Sequence, residues 1–96
     1  MIEIKARTKK ITKDGKEWYA VSVNRSYIEG ASDKFRDKLN DAYYNVHIAK
    51  GSKLQLPENP GKYIDILVDE KDCFYSKRPG KYPTIVVRNA VSIDNN

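Results

Sequence analysis

Residues 2–25 read IEIKARTKKITKDGKEWYAVSVNR, and the alternation within this stretch decides the fold. Lys13-Asp14-Gly15-Lys16 places Asp-Gly at the centre of a two-residue turn, where both central residues must accept positive φ. Residues 2–12 before it and 18–25 after it are β-compatible, so the stretch predicts a long hairpin. With Asp14 and Gly15 in the turn, Lys13 pairs with Lys16 and the numbers of every later pair sum to 29.

That register sorts the side chains. One face collects Ile4, Ala6 and Thr8 with Tyr19, Val21 and Val23, and is the expected core side. The other collects Lys5, Arg7, Lys9 and Ile11, lying across from Asn24, Ser22, Ala20 and Trp18. It is a ladder of cations beside small side chains, ending in a Trp.

Beyond the hairpin, Ser32 can cap a short helix reaching Ala42, with Phe35, Leu39 and Ala42 at helical spacing. Tyr44, Val46 and Ile48 alternate with Asn45 and His47 as a third strand, and Tyr43 and Tyr44 point to opposite faces. Residues 51–61, with Pro57 and Pro60, form a loop. A fourth strand over 63–68 turns Ile64, Ile66 and Val68 to one face. A fifth, over 84–93, turns Ile85, Val87, Val91 and Ile93 inward and Thr84, Arg88 and Ser92 outward. Residues 77–82, Lys-Arg-Pro-Gly-Lys-Tyr, form the tip of a protruding hairpin that also carries Phe74 and Tyr75. The expected fold is all-β with small α content: one domain over residues 1–96, a five-stranded barrel of the oligonucleotide-binding type with protruding hairpins and one short helix.

The 96 residues suffice for one core, and ten aromatics among 40% hydrophobic residues set the chain apart from disordered sequences. Lys and Arg exceed Asp and Glu by four in residues 1–25 and by three in 71–96, while acids exceed them by two in 26–70, giving the net +5. Positive charge at both ends of the chain suits a phosphate-bearing partner if the ends fold to one side. Cys73 has no second cysteine to pair with, and there is no N-terminal apolar run, so a soluble cytoplasmic protein is expected.

Catalytic chemistry finds little support. His47 is the only histidine and reads as a surface strand residue; Cys73 reads as a small buried hydrophobe. Asp65, Asp69, Glu70 and Asp72 lack the spacing of a metal loop, and Gly51-Ser52-Lys53 lacks the upstream glycine of a phosphate loop. No enzyme activity, cofactor, metal, small-molecule substrate or membrane association is expected.

What remains is a surface for single-stranded nucleic acid, whose unstacked bases are held by flat aromatics beside cations. Lys5, Arg7 and Lys9 supply charge along a groove, and Lys13 and Lys16 supply it at the tip. Trp18 supplies a stacking plane, its alternative role being to cover one end of the core. Phe74, Tyr75, Lys77, Arg78, Tyr82 and Arg88 complete the candidate surface, with barrel capping or a dimer contact as the alternative for Phe74 and Tyr75. DNA stands ahead of RNA. A protein–protein module, such as a small phage inhibitor of a host enzyme, is the competing class.

These features resemble the small single-stranded-DNA-binding proteins of bacteriophages, above all the helix-destabilising proteins of filamentous phages. The resemblance rests on a Met1-Ile2 strand, on Gly15-Lys16 followed by Trp18 as a wing, and on Pro60-Gly61-Lys62-Tyr63 entering a strand. A second hairpin with Phe74, Tyr75 and Tyr82 follows, and then a final strand with an outward Arg88. Residues 32–41 depart from the family pattern. The resemblance implies a homodimer that coats and protects single-stranded DNA in the host cytoplasm during phage replication or recombination, without catalysis.

Overall fold

The computed structural model describes residues 1–49, 51–54 and 61–92, with Trp18 and Tyr19 described by backbone alone. Strand β1 (Ile2–Lys13) and strand β2 (Lys16–Asn24) form the expected hairpin. Asp14 and Gly15 take φ of 55° and 76°, the conformation a tight Asp-Gly turn requires. The ladder runs from Lys13↔Lys16 to Arg7↔Ser22 in the register read from the turn. Inward, Ile2, Ile4, Ala6 and Thr8 are fully buried, and Val21 and Val23 join them from β2. Thr8 is tolerated there because its Oγ1 donates to the Lys62 carbonyl at 2.9 Å.

Below Arg7 the first strand changes neighbours. Strand β3 (Ile28–Glu29) takes over one edge through Ile4↔Ile28, so Lys5 is not laddered to Asn24. Helix α1 (Asp33–Arg36), strand β4 (Tyr43–Ile48) and strand β5 (Tyr63–Val68) follow. The last of these pairs with the other edge of β1 from Ile2↔Val68 to Arg7↔Tyr63. Strands β6 (Cys73–Ser76), β7 (Thr84–Val87) and β8 (Val91–Ser92) complete one sheet, ordered β6-β7-β4-β2-β1-β5-β8 with β3 against β1. Among the described residues the architecture is all-β with a single turn of α-helix and two 3-10 turns, consistent with an oligonucleotide-binding-like fold. Among the described residues it has eight strands where five were expected. No pairing among the described residues joins the two outer strands, β6 and β8. Every long strand buries one face, and α1 is too short to cover it, so the sheet must curl over its own apolar side.

Two elements differ from expectation. The helix stops at Arg36 rather than reaching Ala42: the Lys38 and Leu39 N–H groups donate to carbonyls three residues back instead of four, and tertiary contacts hold the segment that follows. Arg25 Nη1 donates to the Leu39 carbonyl at 3.0 Å, the Asp41 N–H donates to Tyr44 Oη at 2.7 Å, and the Arg25 N–H donates to the Ala42 carbonyl at 2.9 Å. Phe35 and Leu39 still reach the core, and Ser32 still caps, its Oγ accepting from the Phe35 N–H.

The expected final strand is split at Arg88-Asn89, where Asn89 has φ 52°. That left-handed residue shifts the alternation by one, so Ala90 is buried and Val91 is exposed, the reverse of the inward position expected for Val91. The expectations for Ile93, Pro57 and Pro60, and for the side chains of Trp18 and Tyr19, lie outside the described residues.

The Ser32 cap is itself held. Its N–H and Oγ–H donate to the two oxygens of Glu70 at 2.7 and 2.9 Å, and these bonds hold that carboxyl below the usual range. A carboxyl depressed in the folded state stabilises above its unfolded pKa and loses that contribution as pH falls through the folded value. Thermal melts from roughly pH 5 to pH 3 should therefore show a smaller acid-induced drop in Glu70→Gln than in the wild type. An identical drop in both would show that these bonds contribute nothing measurable.

Candidate nucleic-acid interface

The outward side of β1 presents Lys5, Arg7 and Lys9, all exposed. Lys5 and Arg7 each lie between two buried residues, and Lys9 follows the buried Thr8 in the same alternation. Strand pairing then sets what flanks the cations. On one side Arg7 lies opposite Ser22 of β2 and on the other opposite Tyr63 of β5. Asn24, at the end of β2, lies opposite Tyr43 of β4. A 3-10 turn over Arg25–Tyr27 follows β2, capped by Asn24 Oδ1, which accepts from the Ser26 N–H and Oγ–H at 2.9 and 2.8 Å. The turn swings Tyr27 back over the sheet, edge-on to Tyr63 at 6.5 Å between ring centroids.

The result is a cleft of about 330 Å³ lined by Lys5, Arg7, Ser22 and Asn24 together with the rings of Tyr27, Tyr43 and Tyr63. These three residues remain 49%, 60% and 52% exposed, which leaves ring surface for a further planar group. The Lys5 ammonium sits 5.6 Å from the Tyr63 centroid. Arg7 and Ser22 also line an adjoining cleft of about 450 Å³ that runs to Lys9, Lys10 and Gly61. Among the described residues neither cleft has a carboxylate on its lining.

Lys5, Arg7 and Lys9 are therefore brought together as expected, while the aromatics beside them are three tyrosines absent from the expected set. Lys13 and Lys16 sit exposed and opposite each other at the hairpin tip, farther along the same arm. The stacking role expected of Trp18 lies outside the described residues.

The remaining candidates gather on β6 and β7, on the far side of β4 and β2 from β1. These strands form the expected second hairpin, from Cys73↔Val87 to Ser76↔Thr84. Phe74 faces out, with the Arg88 guanidinium carbon 4.8 Å from its ring centroid and Arg88 also 3.7 Å from Asp72. Tyr75 faces in and packs edge-on against the buried Tyr44, at 6.1 Å. The pair thus splits into one surface ring and one core-facing ring. Lys77 pairs with Asp41 at 3.2 Å, which raises its pKa, and Arg78 and Tyr82 stand exposed on the connection. The structure does not bring this second patch to the groove.

His47 is exposed on β4, and Cys73 is buried, its thiol pushed up to about 12 by burial with the Glu70 charge adding to the effect. Among the described residues no three metal-ligating side chains gather, and no helix is long and apolar enough to cross a membrane. Comparison of the chain with protein-family models, with curated proteins and with solved structures finds no match.

Proposed function

We propose that the protein binds single-stranded DNA, without strong sequence preference, along the outward side of β1. One observation carries the proposal: three half-exposed tyrosines from three different elements surround Lys5 and Arg7 in one cleft. Bases stack on rings whatever their identity, and cations beside the rings hold the connecting phosphates. Duplex DNA hides its base faces and gains nothing from such rings. The proposal extends to a homodimer coating exposed strands during replication or recombination, as in the phage proteins the sequence resembles.

Anisotropy titrations of an unstructured oligothymidine at three salt concentrations test it. Log K should fall by about 0.7 per phosphate neutralised for each unit of log salt. Arg7→Ala should lower that slope by about one such contact while leaving the fold intact. An affinity independent of salt, or one equal for duplex, overturns the proposal. Tighter binding of the matching RNA would move the assignment to RNA.

A further inference from the structure

Beside Tyr27 the groove divides, and the two branches carry opposite charge. One branch is a small cleft of about 150 Å³ lined by three acidic residues, Glu3, Glu29 and Asp65, against one cation, Lys5. The other continues past Asn24, which lines both the tyrosine cleft and a further cleft of about 430 Å³. The second cleft lies between the end of β2, the 3-10 turn and the segment after α1, with Arg25 and Arg36 on its walls and, among the described residues, no carboxylate on its lining.

Arg25 is fixed there by its bond from Nη1 to the Leu39 carbonyl. A guanidinium carries five N–H donors, so that bond leaves others for an anion. None of the ion pairs among the described residues engages Arg25 or Arg36. A polyanion leaving the tyrosine cleft thus meets a net-acidic cleft, three acidic residues to one lysine, on one side and two arginines on the other.

Resting on the single-strand reading above, we propose that a bound strand runs from Lys9 past the tyrosines and leaves over Asn24 into the Arg25–Arg36 cleft, which holds a phosphate beyond the stacked bases. The acidic branch excludes the backbone and fixes this path. Strands long enough to fill both clefts bind more tightly than strands that fill the first alone.

Arg36 is the residue to change, since its side chain is exposed and makes no hydrogen bond or ion pair with the described residues, whereas Arg25 also holds the Leu39 segment. Oligothymidines of about four and about twelve nucleotides span the site sizes of a single such fold. Arg36→Gln should weaken the longer strand about three- to tenfold, lower its salt slope by about 0.7, and leave the shorter strand unchanged. Glu29→Gln, on the acidic branch, should change neither strand's affinity by more than about twofold. Equal affinity of wild type and Arg36→Gln for the longer strand overturns the proposed path. So does equal weakening of both lengths, or tighter long-strand binding by Glu29→Gln without an Arg36 effect. Wild-type binding of the shorter strand separates these outcomes from failure of the groove itself, which shows as no binding of either length.

Discussion

Replacing Tyr43 and Tyr63 together by Ala is expected to cost about 2 to 6 kcal/mol of affinity for an unstructured oligothymidine, at about 1 to 3 kcal/mol for each stacked base. The two rings enter the cleft from β4 and β5, on opposite sides of the cation row, so each serves a different base. Both rings are more than half exposed, so their loss should change stability little, and thermal melts check this. Tyr43→Phe with Tyr63→Phe keeps the planes and should keep the affinity. If the Phe pair binds as poorly as the Ala pair, the hydroxyls rather than the ring faces make the contact. If the Ala pair binds like the wild type, the groove is not where the strand lies.

Ile66→Ala should destabilise the fold by about 2 to 5 kcal/mol, the cost of removing a large buried aliphatic from a packed site. Ile66 is fully buried, lies opposite Ile4 on β1 and opposite Ser92 on β8, and so sits where three strands meet. Urea melts should show the midpoint falling with the slope unchanged. Lys5→Ala, one residue along β1 from Ile4 but on the outward face, should stay within about 0.5 kcal/mol of the wild type. A comparable loss in both variants would contradict the division of β1 into an inner and an outer face.

The hairpin was legible because one dipeptide fixes everything after it. Asp14-Gly15 sets the pairing, the pairing sets parity, and parity separates Lys5, Arg7 and Lys9 from Ile4, Ala6 and Thr8. Tyr63 carried the same kind of signal, since inward Ile64, Ile66 and Val68 leave it facing out, as Tyr44 does for Tyr43. What parity within a strand does not give is which strands become neighbours. Tyr63 gains its meaning only from lying beside Arg7, and that is a pairing between segments more than fifty residues apart. Tyr27 had no periodic signal at all, because a 3-10 turn of three residues and a strand of two are too short to show a period. The break at Asn89 was hidden for a different reason. Asn tolerates the left-handed region without announcing it as Gly does, and the run of β-formers around it reads as continuous.

Because Lys5 and Arg7 alternate residue by residue with Ile4, Ala6 and Thr8 on one strand, substitution and insertion have very different consequences for this protein. The outward residues can be exchanged one at a time to retune charge or ligand preference without disturbing what lies beneath. Deleting a single residue between Ile4 and Thr8 would drive cations into the apolar interior and turn aliphatics toward solvent along the rest of the strand. Lineages of such a chain should therefore retune the groove by substitution while keeping the spacing of β1 unchanged, with length variation confined to the connections between strands.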